Sequence, residues 1–300
     1  MHKKINIIGC GYLGQRLIQQ LLLRQLASAE NIITLVKTQN SRELCAAMGV
    51  QSFTLDMDDS DCTLPKTFKI DKSLLYYFAP PPSQGTEDSR IRHFIKLLNN
   101  SFEQGVSKQP AKVVLISTTG VYGNCHGQWV DESTPLKPEV DRARRRVDAE
   151  QQFQAYCENF NIPLVILRVS GIYGAGKLPL KRIRAQTPIV RKEDSPFSNR
   201  IHADDLLEIC LQAGFSEKIE GIFNCADGNP TTMYDYFMQV ARAKKLPEPP
   251  AISLEQAKSQ LSAGMLSYME ESRRIDNHKL LSVFNMTLKY PDLEKGLTQT

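Results

Sequence analysis

A glycine-rich turn near the amino end constrains this chain more than any other segment. Gly9, Gly11 and Gly14 follow the pattern Gly-x-Gly-x-x-Gly, after an apolar run at Lys4–Ile8 and before a stripe of leucine and isoleucine at helical spacing. Between a strand and a helix, such glycines allow a tight turn, leave backbone amides open to a diphosphate, and bring the helix close to the strand. The residues predicted to surround a bound diphosphate are Gly9, Gly11, Tyr12, Leu13 and Gly14.

Apolar runs alternate with helical patterns through the first 175 residues. The predicted strands are Lys4–Ile8, Ile32–Val36, Gln51–Leu55, Ser73–Ala79, Lys112–Ser117 and Leu164–Val169. Near-continuous runs such as VVLIS and LVILRV are typical of strands covered on both faces, as parallel sheets require. The pattern predicts an α/β fold with a doubly wound parallel sheet of the Rossmann type.

The character of the chain changes after Gly176, where a basic stretch interrupted by prolines begins. Residues 199–228 then combine a short extended piece, a helix and one more strand, and the tail alternates helices with proline-rich links. We therefore predict a dinucleotide-binding domain over residues 1–175 and a smaller substrate-binding lobe over residues 176–300. The segment 199–228 is predicted to return to the first domain.

Charge, apolar runs and cysteine usage narrow the function classes. The formal net charge is +4, which is too small to indicate a protein of nucleic acids or membrane surfaces. No apolar run approaches the ~18 residues that span a bilayer, and the amino end lacks a signal-peptide core. The seven cysteines are scattered without a Cys-x-x-Cys pair, so we expect free thiols and no metal site. These features predict a cytoplasmic protein.

The end of the second predicted strand bears on which dinucleotide is bound. NAD sites usually carry Asp or Glu there, to bind the ribose 2′-hydroxyl. In this chain the strand runs into Lys37, Arg42 follows, and the nearest carboxylate, Glu43, is expected on the next helix. Two cations suit a 2′-phosphate, so we expect NADP, with NAD as the alternative. A flavin or a methyl-donor nucleotide is less favoured, since these cofactors usually require the missing carboxylate.

Six segments carry a resemblance to a known family. They are GCGYLG at 9–14, LDMDD at 55–59, STTGVYG at 117–123, LRVSGIYGAG at 167–176, NRIHADDL at 199–206 and FNCADGNPTT at 223–232. Their order and spacing resemble those of the extended short-chain dehydrogenase/reductase superfamily, often called the NAD-dependent epimerase/dehydratase family. The resemblance implies a homodimer in many members, formed through helix pairs.

The resemblance also implies roles for individual residues. Asp56 and Met57 would border the adenine, and Ala79 and Pro80 would pass beside the ribose and phosphates of the cofactor. The cofactor-binding residues implied on the later strands are Ser117, Val169 and Ser170. Thr118 would stand at the position of the catalytic Ser/Thr and contact substrate, and Gly171 would border the substrate pocket.

One departure from the family pattern concerns catalysis. Active members carry a Tyr-x-x-x-Lys pair shortly before a helical Glu, in which the tyrosine exchanges a proton and the lysine holds the ribose. Counting back from Glu150, these places fall on Arg142 and Arg146, and no tyrosine occurs between Tyr122 and Tyr156. Arginine does not exchange protons at neutral pH. The chain therefore resembles an atypical branch of the superfamily that lacks the pair.

The two arginines allow two interpretations. Residues four apart share a helix face, and the resemblance directs this face toward the nicotinamide ribose. One hypothesis is that Arg142 and Arg146 clamp an anionic group of the substrate, with Arg146 also contacting the cofactor. The alternative is that the run RARRR forms a solvated basic face.

The hydroxyl of Tyr122 is a further catalytic candidate beside Thr118, although in the family the tyrosine at this place mostly packs. Arg200 is a candidate substrate contact in the second lobe. Asp204 and Asp205 are predicted to cap a helix rather than to bind a metal with His202.

Two function classes remain open. The first is an NADP-dependent oxidoreductase or epimerase that uses non-standard acid/base residues on a sugar nucleotide or a small carbonyl compound. The second is a sensor that binds NADP(H) without turning it over. The missing tyrosine favours the sensor, and the retained Thr118 and substrate lobe favour the enzyme.

Overall fold

A computed structural model describes residues 4–267 and 269–298, without the side chain of Ala263. Its strands are β1 (Ile5–Ile8), β2 (Ile32–Val36), β3 (Gln51–Thr54), β4 (Leu74–Tyr77), β5 (Lys112–Thr118), β6 (Trp129–Val130), β7 (Leu164–Val169), β8 (Gly171–Tyr173), β9 (Ile189–Val190), β10 (Phe197–Ser198), β11 (Arg200–His202), β12 (Gly221–Cys225), β13 (Thr231–Thr232), β14 (Ala251–Ile252) and β15 (Arg274–Ile275).

The helices alternate with these strands along the first half of the chain. They are α1 (Tyr12–Leu23), α2 (Gln39–Ala46), α3 (Ser89–Glu103), α4 (Asp141–Asn159), α5 (Leu180–Arg184), α6 (Ala203–Phe215), α7 (Met233–Ala243), α8 (Leu254–Gln260), α9 (Ala263–Leu266), α10 (His278–Phe284) and α11 (Leu293–Leu297). Short 3₁₀ turns occupy Ala29–Asn31, Thr119–Tyr122 and Lys192–Asp194.

The central sheet has seven strands in the order β12-β7-β5-β4-β1-β2-β3. The pairs β1–β2, β2–β3, β1–β4 and β4–β5 run parallel. Strand order therefore reverses between β1 and β4, and in doubly wound sheets ligands bind at the carboxyl ends of the strands beside such a reversal. The predicted fold class is confirmed.

Alternate residues of the sheet strands face different helices. Leu75 and Tyr77 of β4 belong to a core cluster that also holds Phe94 of α3 and Phe153 of α4. Tyr76 points to the other face, where its hydroxyl donates a hydrogen bond to the carbonyl of Cys210 in α6. The sheet is thus covered on both faces, which explains its near-continuous apolar strands.

The chain divides into two compact units. Unit 1 comprises residues 1–117, 141–167 and 207–222, and unit 2 comprises residues 118–140, 168–206 and 223–300. Unit 2 contains the two-stranded pairs β8–β11, β10–β13, β9–β14 and β6–β15, and a second core around Tyr173, Ile183, Phe237 and Val240. The predicted domains met at residue 175, with segment 199–228 returning to the first domain, whereas in these units residues 207–222 belong to unit 1 and residues 118–140 to unit 2. The functional division remains a prediction.

The six predicted strands are all present, and Ile32–Val36 and Leu164–Val169 have the predicted bounds. The largest difference concerns Ser73–Ala79, of which only Leu74–Tyr77 is strand, because the prolines that follow Ala79 have no backbone N–H to donate to a ladder. Across residues 4–267 and 269–298, no helix is long and apolar enough to cross a membrane. The same residues contain no group of three His, Cys, Asp or Glu side chains placed to hold a metal.

Candidate functional site

The glycine-rich turn connects β1 to α1 in unit 1. Gly9 has a φ of +80°, and a Cβ added there would lie 2.3 Å from the backbone nitrogen of Ala79. A Cβ at Gly14 would lie 2.9 Å from Cys10 Sγ, so the first turn of α1 packs directly on the chain that leaves β1. At Gly11, by contrast, a Cβ would meet nothing within 4 Å. Two of the glycines are therefore required by packing, and the third leaves the backbone bare toward open space.

The amino end of α1 offers backbone amides to that space. Gly11 is the N-cap, it provides no side chain to the first turn, and the first turn contains no acidic residue. Tyr12, Leu13 and Gly14 begin the helix. Because the first amides of a helix have no partner within the helix and carry partial positive charge, this turn fits a diphosphate.

Lys37, the first residue after β2, lies in a network of charges. Its Nζ is 2.6 Å from Asp58 Oδ2 and 3.0 Å from Asp56 Oδ1. Arg90 of α3 binds both oxygens of Asp58, with each N–O distance 2.6 Å. The hydrogen bonds from Arg90 hold the pKa of the Asp58 carboxyl well below its usual range. Lys37 is therefore paired with carboxylates that follow β3. The sequence around β2 alone did not indicate this pairing.

The other predicted neighbours of the adenosine lie in the same part of unit 1. Arg42 donates from Nε to the carbonyl of Ser52, 3.2 Å away. Met57 is buried, and its carbonyl is 2.8 Å from Nδ1 of His93. The chain after β4, which includes Ala79 and Pro80, is held by Arg90, whose Nη1 is 2.9 Å from the Pro80 carbonyl.

The start of α4 lies against the end of β5 in unit 1. Ser117 donates from Oγ to Glu150 Oε1 at 2.5 Å, and Arg146 donates from Nη1 to the carbonyl of Ile116 at 3.1 Å. Burial lowers the pKa of Arg146, and the nearby Asp88 carboxyl opposes this effect. Arg146 is thus directed at the end of β5, and its contact with a cofactor stays a prediction.

The neighbouring arginines of α4 differ in their surroundings. Arg144 is exposed and forms an ion pair with Asp141 at 2.7 Å. Arg145 is buried and donates to the carbonyl of Gly85. Arg142 is half-buried and lies one turn before Arg146. The interpretation of RARRR as one solvated basic face is therefore wrong, because Arg145 and Arg146 both donate to backbone carbonyls of unit 1.

The candidate catalytic hydroxyls lie in unit 2. Thr118 Oγ1 accepts a hydrogen bond from the amide of Gly120 at 3.2 Å, at the start of the 3₁₀ turn. Tyr122 is fully buried; its hydroxyl donates to Asn224 Oδ1 at 2.8 Å and accepts from Arg168 Nη1 at 3.0 Å. Burial raises the pKa of Tyr122 to about 12. Of the two, Thr118 is the residue with a half-exposed side chain.

A pair that sequence reasoning missed lies beside Thr118. Arg273 donates two hydrogen bonds of 2.9 Å to Oε2 of Glu271, and it also donates to the Gly123 carbonyl. A Cβ added at Gly120 would be 3.6 Å from Thr118 Oγ1 and 3.9 Å from Arg273 Nη2. The hydroxyl and the guanidinium therefore border the same point. No motif marks these two residues, and their separation from Thr118 in the sequence hides the contact.

The predicted substrate-side residues of β7, β8 and β11 are close together in unit 2. Ser170 donates from both its amide and its hydroxyl to the carbonyl of Cys225, and Val169 precedes it at the end of β7. A Cβ at Gly171 would be 2.5 Å from Arg200 Nη1. Arg200 itself is buried, with its guanidinium carbon 4.2 Å from the centre of the Tyr236 ring. Its contacts in unit 2 are with protein groups, and its role as a substrate contact stays a prediction.

The prediction that Asp205 caps α6 is wrong. The oxygens of Asp205 accept hydrogen bonds from the amides of Lys289 and Tyr290, at 2.8 and 2.9 Å. His202 instead accepts from the amide of Asp204 through Nδ1. Asp205 therefore ties a distant segment of unit 2 to α6, because amides of that segment come closer to its carboxylate than those of its own helix.

A buried carboxyl in unit 2 was also missed. Asp227 accepts from the amide of Asn229 through Oδ1 at 3.0 Å, and its Oδ2 has no hydrogen-bond partner in the part of the chain that the structure describes. Burial raises the pKa of Asp227 to about 7. In the sequence, Asp227 lies in GIFNCADG, which predicted a strand and gave no signal for a buried carboxyl.

The comparisons with known proteins agree with this architecture. The model of the NAD dependent epimerase/dehydratase family matches residues 5–226. A solved structure of a functionally unknown conserved protein from Silicibacter pomeroyi has a TM-score of 0.77 and 27% identity, and covers 99% of this chain and 97% of that one. UDP-glucose 4-epimerase of Thermus thermophilus, solved in complex with NAD, has a TM-score of 0.73 and 18% identity, with 99% and 97% covered.

A curated relative matches only a short stretch. The dTDP-D-glucose 4,6-dehydratase of Mus musculus is 38% identical over 87 residues, which are 29% of this chain and 23% of the relative. The chain therefore spans less than a quarter of the length of the curated relatives it matches. The solved structures, at 27% and 18% identity, support the fold. The match of the family model over residues 5–226 supports the assignment of the chain to a family.

Proposed function

Because the chain belongs to the NAD dependent epimerase/dehydratase family, we propose that unit 1 binds a nicotinamide adenine dinucleotide and that the protein is an oxidoreductase or epimerase. Its substrate is a sugar nucleotide or a small carbonyl compound. Two of the proteins named above, UDP-glucose 4-epimerase and dTDP-D-glucose 4,6-dehydratase, are named for sugar nucleotides, which supports the first of these classes. When bound, the nicotinamide supplies the exchange of a hydride with a carbon of the substrate.

The observation that carries the proposal is the geometry of the glycine-rich turn. Gly9 packs on Ala79 and Gly14 packs on Cys10, so the turn is fixed, while Gly11 faces open space at the amino end of α1. A fixed turn with open amides supports a diphosphate without rearrangement.

Residues of the chain would hold the remaining parts of the dinucleotide. Asp56 and Met57 would border the adenine, and Ala79 and Pro80 would lie along the ribose and phosphates. At the nicotinamide end we propose Ser117, Arg146, Val169 and Ser170. The buried bond between Ser117 and Glu150 supports this role for Ser117, since it fixes the side chain at the end of β5.

We propose Thr118 as the hydroxyl that binds the reacting oxygen of the substrate. Its Oγ1 accepts from the amide of Gly120, which leaves the hydroxyl hydrogen to donate to a ligand. Thr118 does not replace the proton carrier by itself, because an unassisted hydroxyl is a weak acid and base; a water molecule would exchange the proton.

Arg142 is proposed to bind an anionic group of the substrate, through the forked donors of its guanidinium. Tyr122 is not carried into this proposal, because both partners of its hydroxyl are buried protein groups.

The form of the dinucleotide is part of the proposal. We propose that the 2′-phosphate form, NADP(H), is accepted through Lys37 and Arg42, with NAD(H) as the alternative. The relative from Thermus thermophilus was solved with NAD, so the choice requires a direct comparison of the two forms.

A second function rests on the arginines of α4. The sequence resemblance implies that Arg142 and Arg146 stand at the places of the Tyr-x-x-x-Lys pair, and on that basis the second candidate is a sensor that binds NADP(H) without turnover. Stopped-flow absorbance in the reduced-nicotinamide band, with NADPH and a panel of keto-sugars and small carbonyl compounds, separates the two functions. Oxidation that is lost in Thr118→Ala supports the enzyme, and tight NADPH binding without oxidation across the panel supports the sensor.

The binding proposal itself has a simpler test. Mass spectrometry of the protein as purified, followed by titration calorimetry with NADH and NADPH, shows whether a dinucleotide is retained and rebound. Absence of both retention and binding would contradict the proposed function.

A further inference from the structure

The charge network around Lys37 brings together residues from three elements of unit 1. Lys37 follows β2, Asp58 lies beyond the end of β3, and Arg90 belongs to the first turn of α3. Because β2 and β3 are parallel neighbours, their carboxyl ends meet at one edge of the sheet. The adenosine ribose would be recognised at this edge, where the residue after the second strand contacts its 2′ position.

The two cations hold Asp58 with different strength. Arg90 binds it through two parallel N–O contacts of 2.6 Å, and Arg90 is itself fixed by the carbonyls of Pro80 and Pro81. Lys37 makes a single contact with Asp58 and has a flexible, half-exposed side chain. The forked pair is the more specific arrangement. Asp58 is therefore the fixed member of the network, and Lys37 is the member that is able to turn toward a ligand.

A 2′-phosphate would meet this network on unfavourable terms. Lys37 would have to exchange its partners Asp58 and Asp56 for the phosphate, and the carboxylate of Asp58, held in place by Arg90, would then face the new anion across a few ångströms. Exposed ion pairs contribute little when taken singly, but two like charges at such a distance repel noticeably, and the repulsion weakens as salt is added. A free 2′-hydroxyl requires no such exchange, because a carboxylate accepts a hydrogen bond from it.

We propose that Asp58 is a specificity-determining residue, which engages Lys37 and shifts the preference of the site away from a 2′-phosphate and toward a free 2′-hydroxyl. The inference rests on the proposed binding of a dinucleotide, and it opposes the part of that proposal in which Lys37 and Arg42 favour NADP(H). In the usual pattern, the residue at the end of β2 distinguishes NAD from NADP. The inference assigns this role to a residue that follows β3. Lys37 favours the phosphorylated form, and Asp58 opposes it.

The test compares Asp58→Asn with the unmodified full chain. Asparagine keeps the size of the side chain and one oxygen for Arg90, and it removes the negative charge. By titration calorimetry, we expect the ratio of NADPH affinity to NADH affinity to rise about tenfold, with NADH affinity changed less than about twofold. The rise should shrink when salt is increased from about 20 mM to about 500 mM. The fragments 2′,5′-ADP and 5′-ADP should show the same change, because they lack the nicotinamide end.

Asp59→Asn is the matched control, since Asp59 is the next residue along the chain and is exposed. An unchanged ratio in a folded Asp58→Asn protein, or an equal rise in Asp59→Asn, would overturn the inference. Lys37→Gln tests it from the other side: we expect a lower NADPH to NADH ratio, and an unchanged ratio would also overturn it. If neither the unmodified chain nor any variant binds a dinucleotide or fragment, the proposed function itself fails.

Discussion

Ser117 and Glu150 form a short hydrogen bond inside unit 1, with 2.5 Å between Ser117 Oγ and Glu150 Oε1. Both side chains are buried, and the bond joins the end of β5 to the middle of α4. Hydrogen bonds to charged groups contribute about 1.5–3 kcal/mol, more than neutral ones. A double-mutant cycle with Ser117→Ala and Glu150→Gln should therefore give a coupling of about 1–3 kcal/mol in the free energy of unfolding, measured with urea. Additive effects of the two substitutions would contradict this prediction.

Gly9 and Gly11 of the turn should respond differently to alanine. Gly9→Ala places a Cβ 2.3 Å from the backbone of Ala79 at a φ of +80°, so we expect at least about 3 kcal/mol of destabilisation or failure to fold. Gly11→Ala adds a methyl group to open space, so the melting temperature should stay within about 2 °C while dinucleotide affinity falls. Differential scanning fluorimetry and calorimetry measure both effects. Gly264→Ala, which lies in α9 and also faces open space, should leave dinucleotide affinity unchanged and should not lower the melting temperature.

Asp227 should make unit 2 less stable at high pH. Burial raises its pKa in the folded protein to about 7, from 3.8. Between about pH 4 and about pH 7 the folded protein holds a proton at this carboxyl that the unfolded chain releases, so the free energy of unfolding falls as pH rises through this range. Asp227→Asn remains neutral and lacks this loss. Its stability relative to the unmodified chain should therefore increase by about 2–3 kcal/mol from pH 5 to pH 8 in urea denaturation. A relative stability that is independent of pH would contradict the prediction.

Arg146 provides a test of the nicotinamide end of the site. Its guanidinium donates to the carbonyl of Ile116 at the end of β5, and burial lowers its pKa. If this group contacts the dinucleotide, Arg146→Met should weaken binding about tenfold or more, and Arg146→Lys should recover part of the loss, as expected for a hydrogen-bonded cation. Arg144→Met is the matched control on the same helix, because Arg144 is exposed and paired with Asp141. Equal effects of the two methionine variants would contradict a contact between Arg146 and the dinucleotide.

Much of the fold followed from local patterns in the sequence. Gly9 is required by the backbone of Ala79, and Gly14 by the side chain of Cys10. Near-continuous apolar runs such as Leu164–Val169 suffice to define buried strands. The ends of strands were less predictable. Ser73–Ala79 was predicted too long because its apolar composition continues past Tyr77, where the following prolines end the ladder.

The site was less predictable, because its charges are paired by the fold. Lys37 read as a free cation at the end of β2, but its partners Asp56 and Asp58 follow β3. The contact depends on the neighbouring positions of two strand ends, and no spacing along the chain records it. In the same way, Glu271 is far from Thr118 in the sequence. Its partner Arg273 nevertheless borders Gly120, as Thr118 does.

Tyr122 and Thr118 were both predicted as catalytic hydroxyls, and two substitutions separate them. Tyr122→Phe removes a hydroxyl that bridges Arg168 and Asn224 inside unit 2, so we expect a loss of about 1–3 kcal/mol in the free energy of unfolding. Burial raises the pKa of Tyr122 to about 12, so the tyrosine is a poor acid or base at neutral pH. The pH profile of turnover in Tyr122→Phe should therefore match that of the unmodified chain. Thr118→Ala removes one local hydrogen bond with Gly120, so stability should fall by about 1 kcal/mol or less while turnover falls at least about 100-fold. Turnover that is lost in Tyr122→Phe and kept in Thr118→Ala would reverse the assignment.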